Sequence, residues 1–316
     1  MTPTGYSRNI QDLLDSATLI YRSQTENGKP ASYIPELANA DPNLFSLSAT
    51  TADGTTYSSG DSETPFSMQS ISKVAGLAYA LERFGGEKVF ARVGTEPCAE
   101  PFNSIMKLEI ASITPLNPFI NSGAICISAL IAEALRESAL EDLLGFASSL
   151  AGRPAGSLLE VNEKLYASEA ATADRNRSLA YFMHSTGALS YDVEETLTLY
   201  FKLCSIEADA RDLSTIGATI ALGGVNPKTG KRILKLETAY TLIGLMSTCG
   251  LYNESGEFAI KVGIPAKSGV SGGILCAVPG KMGIAAFSPL LDSRGNSVAG
   301  LKALAHLSAE LKLRGI

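Results

Sequence analysis

The stretch Lys267-Ser268-Gly269-Val270-Ser271-Gly272-Gly273-Ile274-Leu275-Cys276-Ala277-Val278 admits two readings that lead to different folds. Gly269 to Gly273 spells Gly-x-Ser-x-Gly, the nucleophile elbow of the α/β-hydrolases, and Asp292 and His306 follow in the order those enzymes use. Lys267-Ser268-Gly269 spells instead a Lys-Ser/Thr-Gly strand, one wall of the cleft in hydrolases that pair serine with lysine. An elbow must turn from strand into helix, whereas Ser271 leads into small and β-branched residues that read as a strand over 273–278. The mainly helical pattern upstream cannot supply the long parallel sheet that an elbow needs. The second reading therefore prevails, and with it an antiparallel sheet.

Outward from that stretch, 258–262 reads as a strand before it, 282–287 as a strand after it, and 298–313 as a closing helix. At the other end, Ile10, Leu13, Leu14, Ala17 and Ile20 recur at helical spacing, with Asn9 placed as the cap. Two β-prone runs, 44–51 and 55–57, flank Asp53-Gly54 as a hairpin. Between the ends, 71–84, 124–136, 140–150, 174–185, 193–206, 209–222 and 236–248 carry apolar residues every three or four positions. The expectation is an α+β chain in which one antiparallel sheet, assembled from both chain ends, packs against a helical lobe. Residues 1–316 form a single catalytic unit in this reading, with a sheet lobe of about 1–68 plus 251–316, a helical lobe of about 69–250 and a substrate cleft between them.

Composition narrows the chemistry. Two histidines and five scattered cysteines form no ligand cluster, so neither a metal nor another cofactor is expected. A net charge of −6 and the lack of basic runs argue against nucleic acid. The uncharged stretch 110–132 is broken by Pro115, Asn117, Pro118 and Asn121 and cannot be read as a membrane span. An odd cysteine number and the lack of a basic-apolar leader after Met1 lead to a cytoplasmic expectation.

Ser-x-x-Lys places a hydroxyl and an amine on one helix face, where an amine of depressed pKa can take the serine proton. It occurs twice, at Ser70…Lys73 and Ser104…Lys107. Ser70 opens an apolar helix whose free N–H groups favour a developing negative charge, and Ser104 lacks such a start. Lys-Ser/Thr-Gly also occurs twice, but Lys228-Thr229-Gly230 follows Gly223-Gly224-Val225-Asn226-Pro227 and reads as a loop. The same region mimics a phosphate-binding loop one residue too long, with Arg232 where a magnesium-binding hydroxyl is required.

With these motifs in place, the chain resembles the serine-dependent glutaminases, a β-lactamase-like family. The resemblance runs nearly end to end through Tyr33-Ile34-Pro35-Glu36-Leu37-Ala38, Gln69-Ser70-Ile71-Ser72-Lys73, Gly94-Thr95-Glu96-Pro97, Pro101-Phe102-Asn103-Ser104, Asn117 to Ala124, Ser168-Glu169, Arg175-Asn176-Arg177, Cys249-Gly250-Leu251-Tyr252 and Pro265 to Gly273. It implies a β-lactamase/transpeptidase-like fold and hydrolysis of L-glutamine to L-glutamate and ammonia. It further implies Ser70 as nucleophile, Lys73 as its proton acceptor, the Ser70 and Val270 amides as oxyanion hole, and Tyr252 and Ser268 as candidates for moving the proton to the leaving nitrogen. Tyr33, Asn121, Glu169, Asn176 and Tyr200 are implied as substrate-pocket residues, and a homo-oligomer, a tetramer of paired dimers, as the assembly. Glutamine's ammonium and carboxylate both need partners, and Glu169 suits the ammonium. Read without the resemblance, Glu169 is a solvated helix charge, either Asn a turn or cap residue, and each Tyr a half-buried core aromatic.

Two alternatives follow from the same residues. Penicillin-recognising enzymes usually carry Ser-x-Asn or Tyr-x-Asn on the helical wall, and here Ser-x-Asn occurs only at Ser7-Arg8-Asn9. A catalytically silent amino-acid-binding protein of the same fold would not need both Ser70 and Lys73. His184 and His306 have no partner in the sequence.

Overall fold

A computed structural model describes residues 7–98 and 114–315. The chain opens with α1 (Ser7–Tyr21) and the short α2 (Pro35–Ala38), then forms β1 (Ser46–Thr51) and β2 (Thr56–Gly60) around the Asp53-Gly54 turn. Next, β3 (Phe66–Ser67) leads through a 3-10 turn, Gln69–Ile71, into α3 (Ser72–Phe84) and α4 (Gly86–Phe90). Helices α5 (Asn121–Leu135), α6 (Ala139–Leu150), α7 (Glu163–Ala171), α8 (Asp174–Ser185), α9 (Val193–Cys204), α10 (Ala210–Ala221) and α11 (Leu236–Cys249) follow, with β4 (Glu160–Val161) and β5 (Ile206–Ala208) among them. The last described elements are α12 (Ser255–Lys261), β6 (Ala266–Ser268), β7 (Gly273–Val278), β8 (Met282–Phe287) and α13 (Val298–Glu310).

The main sheet runs β2-β1-β8-β7-β6 with every neighbour antiparallel, so strands from near both chain ends meet where β1 pairs with β8. Both of its faces are covered. In β7, Ile274, Cys276 and Val278 join an outer core with α1 and α13, while Leu275 and Ala277 join the inner core with the helices. Double coverage explains why this strand reads as an unbroken apolar run rather than an alternating one. In β1, Leu47 and Ala49 enter the outer core, and the hydroxyls of Ser48 and Thr50 turn inward to meet Ser214 of α10 at 3.0 and 2.8 Å.

Helix α10 lies flush on the sheet because glycines allow it. A Cβ on Gly217 would stand 2.2 Å from the Cys276 carbonyl oxygen, and one on Gly283 2.0 Å from that of Ser214. Asp209 starts the helix with a reciprocal capping box with Asp212, which satisfies amides that would otherwise be orphaned.

Four details depart from the pattern read in the sequence. Residues 258–262 are not a strand: they fall on α12 and its end, where Phe258 and Val262 are buried and Ile260 between them is 80% exposed. That is helical spacing, hidden because Phe, Ile and Val at every second position also mimic a strand. The third C-terminal strand is β6, the Lys-Ser-Gly segment itself. The region read as mainly helical also contains β4 and β5, which with β3 just before it form a small sheet of order β3-β5-β4, made of strands too short to show a period. Asn9 lies inside α1, which starts at Ser7, rather than capping it. Ser104, Lys107 and the 101–104 motif lie outside the described residues. Among the described residues no helix is long and apolar enough to cross a membrane.

Candidate active site

The 3-10 turn that carries Ser70 is fixed before it begins. The Met68 amide donates to Ile206 O at 2.7 Å, tying β3 to β5, and Gln69 then takes a φ of +46°. A left-handed backbone at a residue with a side chain costs about 1–3 kcal/mol and persists only where its surroundings enforce it. Here Gln69 Nε2 donates to the Glu169 carboxylate at 3.2 Å, anchoring the turn to the end of α7. Tyr252, on the opposite wall, is also left-handed at φ +53°.

One turn beyond Ser70, Lys73 is buried, and among the described residues no acidic side chain is in hydrogen-bond contact with it. Its Nζ donates to Asn121 Oδ1 at 2.7 Å and to Phe119 O at 3.2 Å. Asn121 Nδ2 passes the chain on to Asn176 Oδ1 at 2.8 Å. Burial lowers the Lys73 amine to about 8, although nearby Glu169 favours its charge. The loop that delivers Asn121 is organised by Asn117, whose Oδ1 accepts from the Phe119 and Ile120 amides at 3.0 and 3.2 Å.

Ser70, Asn121, Glu169, Asn176, Tyr200, Val270 and Tyr33 line one cavity of about 70 Å³. Tyr33 sits at its rim, 54% exposed, and Tyr200 is buried. Glu169 is 6% exposed, and burial pushes its carboxyl up to about 7, against the Gln69 hydrogen bond and the Lys73 charge. The Tyr252 phenol is pushed up to about 12 by burial, while hydrogen bonding to Ser70, and more weakly to Ser268, restrains the rise. Around Ser70, Ile71 N donates to Met68 O at 2.9 Å, and beside Val270, Gly269 N donates to Gly273 O at 2.9 Å. Ser70 and Val270 both line the cavity. A serine one helical turn from a buried amine of lowered pKa can be activated to attack a carbonyl.

The glutaminase family model matches residues 28–315. The chain belongs to the glutaminase family. It is an amidohydrolase. It is 47% identical over 305 residues to a glutaminase of Clostridium tetani, covering 96% of this chain and 99% of that one. Among solved structures it is similar to the probable glutaminase YbaS, at TM-score 0.93 and 40% identity over 98% of each chain. It is also similar to a probable glutaminase from Bacillus subtilis complexed with 6-diazo-5-oxo-L-norleucine, at TM-score 0.87 and 35% identity over 96% of this chain and 95% of that one.

In this glutaminase-family chain Lys73 reaches the cavity lining through Asn121 and Tyr252 packs on Val270, with Ser268 beside Tyr252. The rival motifs do not converge. Ser271 sits in the turn between β6 and β7, with no helix after it, and His306 packs on Tyr21 with ring centroids 5.6 Å apart. Lys228-Thr229-Gly230 is a turn whose first two amides donate to Asn226 Oδ1. Three contributors lie outside the site read from the sequence. Gln69 carries no signal of its own within Gln69-Ser70-Ile71-Ser72-Lys73. Cys204 lines the cavity beside Tyr200, and burial raises its thiol well above its usual range. Lys267 is fully buried, donates to Gly250 O at 3.0 Å and Ser268 O at 2.7 Å, and lies 4.6 Å from the Tyr252 ring centroid. Burial and the Lys73 charge push its amine well below its usual range. A lysine inside a strand motif was the available signal for Lys267. Cys204, on an ordinary amphipathic helix, gave none.

Proposed function

We propose that the protein hydrolyses L-glutamine to L-glutamate and ammonia through a γ-glutamyl ester on Ser70. The observation that carries this reading is the buried Lys73, held by Asn121 and Phe119 one turn from Ser70, which shares a cavity with Asn121 and the buried carboxyl of Glu169. In its neutral form Lys73 accepts the Ser70 proton as Oγ attacks the side-chain carbonyl. The Ser70 and Val270 amides receive the developing oxyanion. Tyr252, at about 12, remains a phenol near neutrality and can donate to the departing nitrogen, with Ser268 beside it. The Lys73 ammonium then returns its proton to the Tyr252 phenolate, and the neutral amine again serves as base while water hydrolyses the ester.

Glu169 pairs with the substrate ammonium, whose charge replaces the solvation that burial removes from the carboxylate. Asn176 has its amide donors for the α-carboxylate while its Oδ1 holds Asn121. Tyr33 and Tyr200 close the rim and the floor. The Bacillus subtilis relative supports the reading, since 6-diazo-5-oxo-L-norleucine carries its carbonyl at carbon 5, as glutamine does. Ammonia release from glutamine and asparagine, measured side by side, tests it. Asparagine is one methylene short of reaching from Glu169 to Ser70, so its kcat/KM should be lower by about 100-fold. Equal rates would defeat the assignment of Glu169.

A further inference from the structure

A second, larger cavity of about 470 Å³ opens on the reacting end of the first. Lys29, Ala31, Tyr33, Val270, Leu291 and Arg294 are among its lining residues, and Tyr33 and Val270 are shared with the cavity that holds Ser70. Its position is fixed by the loop after β8. A Cβ on Gly295 would lie 3.5 Å from Val270 Cγ1 and 3.6 Å from Tyr252 Cε2, so this loop rests on the oxyanion residue and on the phenol beside the leaving nitrogen. Ala31, Leu291, Val270 and Tyr252 form one small apolar cluster. Glu169 and Asn176 line only the first cavity.

The charges in the second cavity are unequally committed. Arg294 is tied to Glu254 and Glu257 at 3.3 and 2.7 Å, and the Asp292 carboxylate accepts from the Arg294 and Asn296 amides at 2.8 and 3.0 Å. Lys29 is exposed, and among the described residues its only hydrogen bonds are backbone pairings with Leu291, so among them its ammonium is the uncommitted charge of the cavity.

We propose that this cavity receives the leaving group of N-substituted γ-glutamyl amides, and favours amino-acid leaving groups whose carboxylate meets Lys29. The inference rests on the serine mechanism proposed above. Ammonia needs no such room; a substituted amine does. The balance is that of the simple amide: Ser70 Oγ bonds to the side-chain carbonyl carbon, carbon 5, the bond from that carbon to nitrogen breaks, and the nitrogen takes a proton. The amino acid leaves through the second cavity, and water cleaves the ester to glutamate.

The test compares glutamine, γ-glutamylglycine and γ-glutamyl ethylamide on the full chain, on Lys29→Glu and on Ser293→Trp, which fills the cavity from an exposed position on its wall. The wild type should cleave all three. Lys29→Glu should lower kcat/KM about five- to tenfold for γ-glutamylglycine alone, the scale of reversing one exposed ion pair. Ser293→Trp should reduce turnover of both substituted amides and spare glutamine. Rapid glutamine turnover with neither substituted amide cleaved would overturn this proposal and leave the glutaminase reading standing. Equal effects of Lys29→Glu on glycine and ethylamide leaving groups would overturn the role of Lys29. Loss of glutamine turnover in the wild type would sink both.

Discussion

The two walls of the cleft solve the same problem with different parts of the chain. The helical wall supplies side chains: Ser70 with Lys73, Asn121, Glu169 and Asn176 come from four separate segments and are joined by Gln69–Glu169 and Lys73–Asn121–Asn176 hydrogen bonds. The sheet wall supplies mainly backbone and proximity. Gly250 accepts Lys267 Nζ and the Ser268 amide, and a Cβ on it would stand 1.6 Å from Ala266 O; one on Gly269 would stand 2.6 Å from Met68 O. Chemistry therefore sits on a wall where side chains can be exchanged without moving the backbone. Its alignment sits on a wall where almost any added atom collides.

That contrast can be broken by substitution. Ser70→Ala should lower ammonia release by about ten-thousand-fold or more, as removal of a nucleophile does elsewhere, while changing stability by less than about 1 kcal/mol. Calorimetric binding of glutamine should persist. Gly250→Ala should do the reverse on the sheet wall, costing about 3–5 kcal/mol because backbone, not a flexible side-chain end, meets the new methyl. A Tm lower by about 10 °C, with residual activity per folded molecule, is the expected result. If Gly250→Ala kept its Tm, the sheet wall would not be the rigid partner described.

Glu169→Gln tests the helical wall more gently, since the shape and the acceptor for Gln69 remain. Loss of the charge opposite the substrate ammonium should lower kcat/KM by about 100-fold, mostly through KM, with Tm unchanged or raised, because a buried carboxyl no longer has to ionise. A Tm loss larger than the kinetic loss would make Glu169 a structural residue.

The same contrast governs what could be read from the sequence. Gly273–Val278 and Met282–Phe287 declared themselves because a doubly covered sheet needs unbroken small and β-branched runs. Residues 258–262 misled because their apolar spacing fits a strand and a helix equally, and only packing places Ile260 in solvent. The site was legible where chemistry needs a fixed local spacing, as in Ser70…Lys73 and Lys267-Ser268-Gly269. Glu169, Asn121 and Asn176 have no spacing relation to Ser70 and became readable only through the family resemblance. Gln69 and Cys204 act through burial and backbone conformation, which leave no local pattern.

The smallest effect expected is also the one that separates the two groups burial has shifted. Lys73 must be neutral to accept a proton, so activity should rise with pH through about 8; Glu169 must be ionised to pair with an ammonium, so activity should also rise through about 7. Both limbs lie on the acid side, and kcat/KM for the free enzyme should fall by up to two powers of ten per pH unit below about 7. With glutamine bound, the ammonium holds Glu169 ionised, so kcat should keep only the Lys73 limb and fall about tenfold per unit. Asn121→Asp places a carboxylate where Lys73 now meets a neutral amide, and should move the Lys73 limb upward by about one unit or more. Glu169→Gln removes the charge that favours ionised Lys73 and should move that limb below about 8. Opposite shifts from two carboxyl changes on one wall would identify the titrating group as the amine between them. A limb that ignored both would assign the base elsewhere, with Tyr252 and its neighbour Lys267 on the sheet wall the next groups to test.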